Sequence, residues 1–474
     1  MNPVQRGGQA EMSSGRVPAS VVAGLVECVG ADHVRCDESS LAAYAADALG
    51  QGSRPDVVVT PGRTTEIAVI ARFCNEHRVP LVVRGAGTGY TGGAVPTRGG
   101  VVLSMERLNR ILDLDELNLL AVVQPNVITG ELQRAVERVG LFYPPDPASL
   151  ESSSIGGNVA ECAGGPRAFK YGTTKRYVLA LEAVLPTGEV VRTGSKAVKN
   201  VVGYDLTQLL VGSEGTLAII TEITLRLVPK PPARATVSAS FGSIQQAVDA
   251  VTALIHRRVV PACIELVDAD SIRAVEAYVN RRIVASGATA QLIVECDGAA
   301  SAVEEEIAHV IDACREAGTL EVRRARSDQE RDEVWSVRRQ LSLALRATGL
   351  LKINHDVVVP RGRIAALFDV IAQLKLKHRL QVASFGHAGD GNIHVNLMID
   401  RADEPARARA KQAERELFEQ VVALDGSISG EHGIGFAKAP YLSIELSADV
   451  IALMQRVKSA FDPNGILNPG KIFP

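Results

Sequence analysis

The sequence predicts an α+β fold in two domains, and three features support this. The chain has 474 residues, more than one ordinary core holds. Residues 118–230 are rich in strand patterns, whereas strands and helices alternate over residues 236–440. Between them, the stretch "PKPPARA" at 229–235 carries three prolines and predicts a domain boundary.

The N-terminal part is predicted to begin with a βαβ unit. Its helix covers residues 64–78, with Thr64 or Thr65 as the cap and Glu66 in the first turn. The other predicted elements are a mixed helical stretch over 18–50 and strands over 56–61, 80–85 and 99–105.

The strands of residues 118–230 are predicted in "LAVVQP", "VLALEAVLPTGEVVRTG" and "LAIITEITLRLVP", with a hairpin turn at Thr187-Gly188. Beyond residue 236, helices are predicted in "IQQAVDAVTALIHRR", "IAHVIDACREAG" and "ERDEVWSVRRQLSLALRATG". A charged amphipathic helix is expected over 402–424 with its charges in solvent. The apolar end of the tail "FDPNGILNPGKIFP" predicts that the tail docks on the protein.

Composition excludes several classes of protein. The formal net charge of −3 gives no sign of nucleic-acid binding. No stretch approaches the ~20 apolar residues of a membrane helix. Residues 1–17 lack the apolar core of a signal peptide and are expected to form a flexible leader. We therefore expect a cytoplasmic protein.

The seven cysteines are scattered, and none forms a Cys-x-x-Cys pair. This argues against an iron–sulfur cluster, a structural zinc ribbon and a disulfide framework. Buried free thiols are the expected state.

A glycine-rich loop follows the predicted strand at residues 80–85. The segment "VVRGAGTGYTGG", residues 82–93, contains the Gly87-x-Gly89-x-x-Gly92 spacing of a dinucleotide-binding turn. A Rossmann fold needs a helix directly afterwards, and "AVPTRGGVVLSM" leaves no room for one. Five glycines within residues 85–93 still allow a nest of backbone N–H groups for phosphate; the alternative is an irregular turn.

Two further segments favour the phosphate interpretation. Residues 144–174, "PPDPASLESSSIGGNVAECAGGPRAFKYGTT", are small or hydroxylated and show no periodicity. A loop of this length is uncommon in a compact domain unless it binds something. Together with "VGSEGTLAIITE" at 211–222, the three segments predict an extended groove for a dinucleotide.

Three of the nine histidines fall within 46 residues, in "GHAGDGNIHVN" and "GEHGIG". His387 and His394 are separated by a strong hairpin signal, Asp390-Gly391, which can place both on one face. With Glu431 they would form a common first shell for zinc or manganese. The alternative is a pair of hydrogen-bonded loop histidines.

The motifs and their order resemble those of the FAD-linked 2-hydroxyacid dehydrogenases. This group includes D-lactate dehydrogenase, the glycolate oxidase flavin subunit and D-2-hydroxyglutarate dehydrogenase, and has the vanillyl-alcohol-oxidase-like FAD fold. The resemblance covers about residues 40–474, through the segments quoted above and "KYGTTKRYVLALEAVLPTGEVV", "VGSEGTLAIITEITLRLVPKP" and "NPGKIF".

The resemblance implies an FAD-binding domain over residues 1–230, completed by 440–474, and a cap or substrate domain over 231–439. The cap would contain a central antiparallel sheet and carry the metal site. Relatives with covalent flavin have a histidine in the glycine loop; here the loop offers Thr88, Tyr90 and Thr91, so noncovalent FAD is expected. The implied FAD-binding residues are Arg84, Gly85, Ala86, Gly87, Thr88, Gly89, Tyr90, Gly92, Gly93, Pro145, Ser149, Ser153, Gly156, Gly157, Asn158, Ala163, Gly164, Gly172, Glu214, Gly215, Ile220, Asn468 and Lys471.

The resemblance also assigns the chemistry. His387, His394 and Glu431 would bind a divalent metal, Zn or Mn, and His432 would act as base. Arg338, with Arg339 as fallback, would bind the substrate carboxylate. The other implied catalytic residues are Ser342, Lys352 and Asn396.

The predicted function is oxidation of a D-2-hydroxy acid by hydride transfer to flavin N5. The spacing from Lys352 to Asp356 departs from that of the hydroxyglutarate enzymes and leaves Asn354 at that place, which favours D-lactate or glycolate. D-2-hydroxyglutarate dehydrogenase, an oxygen-using oxidase, a flavin subunit that is active only in a complex and a flavin-free metallohydrolase are the alternatives.

The expected electron acceptor is an iron–sulfur subunit, an electron-transfer flavoprotein or a quinone. Because this chain has no cluster cysteines, any cluster would lie on another polypeptide. Peripheral attachment to the inner face of the membrane through that partner, and a homodimer, both stay open.

Overall fold

Three β-sheets of four or more strands organise residues 17–473, the part of the chain that the computed structural model describes. The expected leader at 1–17 lies outside these residues except for Val17. None of the described helices is long and apolar enough to cross a membrane.

The first sheet contains the predicted βαβ unit. Strands β2 and β3 both pair in parallel with β4, and helix α3 crosses between them. Helix α3 buries Ile67, Ile70, Ala71 and Cys74, the spacing of one helix face. The elements of this part are α1 (Ala19–Val29), β1 (Val34–Arg35), α2 (Glu38–Ala43), β2 (Val57–Val59), α3 (Thr64–Glu76), β3 (Leu81–Arg84) and β4 (Val101–Ser104).

Two local predictions in this part are wrong. Helix α3 is preceded by Arg63 as N-cap, without a side-chain cap, because the Thr64 hydroxyl donates instead to Glu182 at 2.8 Å. At the start of the helix, Glu66 instead accepts a hydrogen bond from the Gly62 N–H at 2.7 Å. The stretch 18–50 is interrupted after α1 by a short 3₁₀ turn and strand β1.

The second sheet is antiparallel, in the order β5-β6-β10-β8-β9. The predicted turn joins β8 to β9, where Gly188 has a φ of 89°. The elements here are β5 (Ile111–Asp115), β6 (Leu120–Val123), α4 (Thr129–Glu137), β7 (Leu141–Phe142), α5 (Ile155–Glu161), α6 (Ala168–Tyr171), β8 (Val178–Val184), β9 (Val190–Gly194), α7 (Leu206–Leu210), β10 (Ile219–Arg226) and β11 (Val228–Pro229).

The segment 144–174 is not a continuous loop, because it contains α5 and α6. Two glycines in the first turn of α5 hide its helical period. The Ser154 hydroxyl caps α5 by accepting from the Gly157 N–H.

The third sheet has seven antiparallel strands in the order β15-β12-β14-β13-β17-β18-β16. Helices α8, α10, α12 and α13 contribute to the core on one face, and α9 and α11 to the core on the other. The elements are β12 (Ala233–Phe241), α8 (Ile244–His256), β13 (Cys263–Asp268), α9 (Ala269–Val279), β14 (Ala290–Gly298), α10 (Ala300–Glu316), β15 (Glu321–Arg324), α11 (Asp328–Ala347), β16 (Leu351–Val358), α12 (Ile364–His378), β17 (Gln381–His387), β18 (Asn392–Ile399) and α13 (Glu404–Ala423).

The chain returns to the N-terminal sheets through α14 (Leu442–Glu445) and α15 (Ala448–Phe461). As predicted, the tail docks: the Leu81 N–H donates to the Ile466 carbonyl at 2.8 Å, beside β3. The proline-rich stretch 229–235 lies where the chain leaves β11 and enters β12. At this point the chain enters the third sheet.

Candidate active site

A cavity of about 570 Å³ lies between the glycine-rich segments and one face of the third sheet. One wall, the glycine wall, comes from residues 85–94 and from the segment around α5. The other, the histidine wall, comes from α11, β16, β17, β18 and the turn at 431–432. The groove and the histidine cluster predicted from separate motifs therefore share one space.

The first wall brings backbone close to the cavity. A Cβ on Gly85 would collide with the Ser154 hydroxyl oxygen, which also accepts from the Ala86 N–H at 3.3 Å. Gly87 has a φ of +68°, and its Cβ would collide with the Arg84 guanidinium. These positions need glycine because the loop packs tightly and turns through the left-handed region.

Most residues predicted for the FAD groove line the cavity, and six lie behind its wall. Gly92 packs against Phe436, Ser153 hydrogen-bonds to Thr129, and the Lys471 ammonium donates to the Val95 carbonyl. The six residues that support the wall instead of facing the cavity are Arg84, Gly92, Pro145, Ser153, Gly172 and Lys471.

Buried polar atoms near the glycine loop fit a polar ligand such as FAD. Among the described residues, Arg84 Nη1 and Asp47 Oδ2 are buried without a hydrogen-bond partner. Burial raises the pKa of Asp47 to about 6, and the nearby Arg84 opposes this. A ring N–H of a bound ligand could donate to the Asp47 oxygen, which lines the cavity and whose isolation is otherwise costly. Sequence reasoning missed Asp47.

The buried carboxylates of Glu161 and Glu214 face the turn that follows His432. Glu214 accepts from the Ile434 N–H at 2.8 Å and from the Gly435 N–H at 2.6 Å. Burial and then the charge of Glu214 raise the pKa of Glu161 well above its usual range. Glu214 thus ties the groove to the turn at 431–435. Glu161, which also lines the cavity, was not predicted.

Three imidazoles converge on one carboxylate oxygen at the second wall. Glu431 Oε1 lies 3.6 Å from Nε2 of His387, 3.6 Å from Nε2 of His394 and 3.9 Å from Nε2 of His432. The hairpin joining β17 to β18 turns at Asp390-Gly391, as predicted. It pairs His394 with Phe385 and so brings His387 and His394 to one face.

Asp356, on the neighbouring strand β16, pairs with His394 in register. Its Oδ2 accepts three backbone N–H groups, from Gly430, Glu431 and His432, at 2.8–2.9 Å. Asp356, His394, Glu431 and His432 offer metal-ligand atoms within 4.8 Å of one another. This donor set fits a divalent cation. No local feature of the sequence signals Asp356, which lies 74–76 residues from its three donors.

The pKa values of His387 and His394 are shifted in opposite directions. Burial disfavours charge on His387, but Glu265 and Glu431 outweigh it and raise the pKa well above its usual range. Burial, together with the charges of His432 and His387, lowers the pKa of His394 well below its usual range. His394 is therefore neutral and able to donate its lone pair.

Helix α11 and strand β16 carry the predicted carboxylate-binding residues. Arg338 is buried, pairs with Glu265 and lies over the Phe385 ring at 4.8 Å. The Lys352 ammonium donates to the Ser342 hydroxyl at 2.6 Å. Arg338, Arg339, Ser342 and Lys352 all line the cavity. Burial and Arg346 lower the pKa of Lys352 to about 8.

Asn396 is the predicted catalytic residue that does not reach the cavity. Its side chain is fully buried, donates to the Ala383 carbonyl and accepts from Asn354 at 2.8 Å. Asn354, one strand nearer the edge, lines the cavity instead. Asn396, two residues from His394, shares its face of the strand but lies behind the wall.

The chain matches two family descriptions, "FAD binding domain" over residues 55–194 and "FAD linked oxidases, C-terminal domain" over residues 230–472. It is 42% identical over 450 residues to the glycolate oxidase subunit GlcD of Bacillus subtilis (strain 168), across 95% of this chain and 96% of that relative. The chain belongs to the FAD-linked oxidases. This confirms the predicted family, and with it an FAD-binding domain and the activity class of an oxidoreductase.

A second relative of this FAD-linked oxidase is the D-lactate dehydrogenase of Anaerostipes hadrus, 36% identical over 427 residues, covering 89% of this chain and 90% of that one. Among solved structures, p-cresol methylhydroxylase with substrate bound aligns with a TM-score of 0.79 at 19% identity, over 96% of each chain. The likeness in fold confirms the predicted vanillyl-alcohol-oxidase type.

Proposed function

We propose that this protein oxidises a D-2-hydroxy acid, either D-lactate or the achiral analogue glycolate, to the 2-oxo acid. The observation that carries the proposal is the convergence of His387, His394, His432 and Glu431 in the same cavity as the glycine wall. Relatives named glycolate oxidase subunit and D-lactate dehydrogenase support the substrate class.

The chemistry that noncovalently bound FAD would supply is hydride acceptance at N5. The glycine loop and the Ser154–Gly157 turn would hold its pyrophosphate through backbone N–H groups. Asp47, whose buried Oδ2 has no described partner, lines the cavity and would face a polar edge of FAD, whereas Arg84 would support the glycine loop from behind.

His387, His394 and Glu431 would bind the divalent metal, Zn or Mn. Such a cation supplies Lewis acidity towards the substrate hydroxyl. Both carboxylate oxygens of Asp356 already accept hydrogen bonds, from Asn392 and from the turn at 430–432. We therefore assign Asp356 to holding that turn and favour His387 as the third ligand.

His432 would take the hydroxyl proton at Nε2. Its ring is stacked between Tyr90, at 5.3 Å, and His394, at 5.3 Å, which fixes its plane. The Asp356 carboxylate accepts from its backbone N–H and places the residue at the cavity. With a hydride acceptor supplied by the flavin, removal of the hydroxyl proton by His432 would complete the conversion to the 2-oxo acid.

Arg338, Ser342 and Lys352 would bind the substrate carboxylate. Two nitrogens of Arg338 are engaged by Glu265, and no described hydrogen bond uses its Nη1. Lys352 and Ser342 are already joined, so together they present a donor pair.

D-2-hydroxyglutarate is the second candidate substrate, and one observation favours it. Arg346 lines the cavity beside Tyr90, with its Nη2 3.2 Å from the phenol oxygen. This cation is not needed for a monoacid and would suit a second carboxylate.

The electron acceptor is proposed to be an iron–sulfur subunit, an electron-transfer flavoprotein or a quinone. Oxygen consumption with substrate would indicate an oxidase instead. Activity of the isolated chain with an artificial acceptor would show that catalysis does not require a complex. A flavin-free metallohydrolase does not explain the FAD-binding domain.

The test is an anaerobic visible spectrum before and after addition of D-lactate, L-lactate, glycolate and D-2-hydroxyglutarate in turn. We expect bleaching of the flavin band by D-lactate or glycolate and none by L-lactate. Bleaching by D-2-hydroxyglutarate alone would select the diacid, and a flavin that none of them reduces would overturn the proposal.

A further inference from the structure

Glu265 is a fully buried carboxylate beside the histidine cluster. It lies in strand β13 with no exposed surface. Strands β13 and β17 are antiparallel, and their register sets Glu265 directly opposite His387. The sheet itself therefore fixes the distance between this carboxylate and a proposed metal ligand, 122 residues away in the chain.

The two oxygens of Glu265 serve two different residues. Oε1 accepts from His387 Nδ1, and Oε2 accepts from Arg338 Nε at 2.6 Å and from its Nη2. A buried charge needs such partners, and here both partners lead into the active site.

The contact with His387 decides which ring nitrogen faces the cluster. Because Glu265 holds Nδ1, Nε2 is the atom 3.6 Å from Glu431 Oε1, and a metal would bind there in place of the Nε2 proton. A carboxylate behind a histidine ligand orients the ring and strengthens it as a donor to a metal.

The contact with Arg338 sets the plane of the guanidinium. Glu265 holds one edge of it, while the Phe385 ring supports its face at 4.8 Å. The remaining Nη1 can then point in few directions. Phe385 is two residues before His387 on the same strand, so both contacts belong to one rigid unit.

We propose that Glu265 is a positioning residue that couples metal binding at His387 to substrate-carboxylate binding at Arg338. The inference rests on the proposed function, since it concerns the same metal and the same carboxylate. It predicts that a change at Arg338 weakens metal binding at His387, and that a change at His387 weakens carboxylate binding at Arg338.

The first test is Glu265→Gln, which keeps the volume but leaves one accepting oxygen for two donors. Zinc affinity, measured by competition with a coloured chelator, is expected to fall about 10–100-fold. Binding of oxalate, an unreactive dicarboxylate probe read from the flavin difference spectrum, is expected to weaken as well. FAD content and thermal unfolding of the same samples report on the fold.

Asp297→Asn is the matched control. Asp297 is also a buried carboxylate, on the adjacent strand β14, and it pairs with Lys170 and Tyr171. It does not contact the histidine cluster. Its loss removes a comparable ion pair, so wild-type zinc and oxalate affinities are expected.

Arg338→Lys keeps the test decisive if Glu265→Gln does not fold. Lysine keeps the positive charge but cannot hold one edge of the carboxylate, so Glu265 loses its second anchor. We expect zinc affinity to fall by about twofold or more, although Arg338 is not a metal ligand.

The outcomes separate the two proposals. Wild-type protein that binds neither Zn nor Mn would overturn the metal site itself, and the coupling with it. Wild-type protein that binds zinc, with Arg338→Lys and any folded Glu265→Gln equal to it in zinc affinity, would overturn only the role of Glu265.

Discussion

The two walls of the central cavity present different groups: one presents backbone and the other presents side chains. The glycine wall presents backbone, and its residues matter because they lack side chains, as Gly85 and Gly87 show. The wall on the third sheet presents imidazole, carboxylate and guanidinium groups on neighbouring strands, with Glu431 at their centre. The first wall suits a large ligand with phosphates, and the second suits a small anion and a cation.

This difference also decides what a mutation should do. A change on the glycine wall should release FAD and spare the metal, whereas a change on the histidine wall should stop the reaction and spare FAD.

The largest effect is expected for His432→Ala. Loss of the proposed base should slow anaerobic flavin reduction by about 10²–10⁴-fold, measured by stopped flow, while the flavin spectrum remains. The matched control is His256→Ala, at the exposed end of α8. A full reduction rate in His432→Ala would remove the proposed base, and loss of FAD would break the division between the walls.

A smaller effect is expected for Gly87→Ala. Its φ of +68° costs a residue with a Cβ about 1–2 kcal/mol, and that Cβ would also press on Arg84. We expect FAD to dissociate about tenfold or more readily, read from fluorescence of the released flavin. Zinc content should not change.

Gly140→Ala tests whether backbone strain alone, away from the cavity, releases FAD. Gly140 has a φ of +75° with nothing within 4 Å of its Cβ, so the backbone cost is the same but lies away from the cavity. Wild-type FAD affinity is expected. Equal FAD loss in both variants would mean that general instability, not the glycine wall, controls cofactor binding.

The smallest effect concerns Lys352, whose pKa burial and Arg346 lower to about 8. Lysine is charged below that pH and neutral above it, so an anionic substrate should be bound less well as the pH rises. We expect kcat/KM to fall above pH 8, by up to about tenfold at pH 9. In Lys352→Arg the charge persists above pH 8, so kcat/KM should no longer fall there. If kcat/KM of this variant falls as it does in the wild type, Lys352 is not the cause of the fall.

The features that could be predicted from the sequence are local. The face of α3, the Asp390-Gly391 turn and the glycine loop each depend on residues within one short segment. The cap at Thr64 was wrong because a distant partner, Glu182, takes its hydroxyl.

The unpredicted features depend on strand register. Glu265 meets His387 across 122 residues, and Asp356 meets the 430–432 turn across 74–76. The family resemblance implied a catalytic role for Asn396, which does share a face with His394. Its depth below the surface depends on Asn354, on the adjacent strand β16, which no spacing within one segment reveals.

The central claim is that the two walls act in one reaction, and metal depletion tests it most directly. Chelator-treated holoenzyme would be mixed anaerobically with D-lactate or glycolate, whichever bleaches the untreated flavin, and the reduction rate compared with that of samples restored with Zn or Mn. We predict slow reduction after depletion, recovery with metal, and unchanged bleaching by dithionite. An equal rate in verified metal-free enzyme would contradict the account.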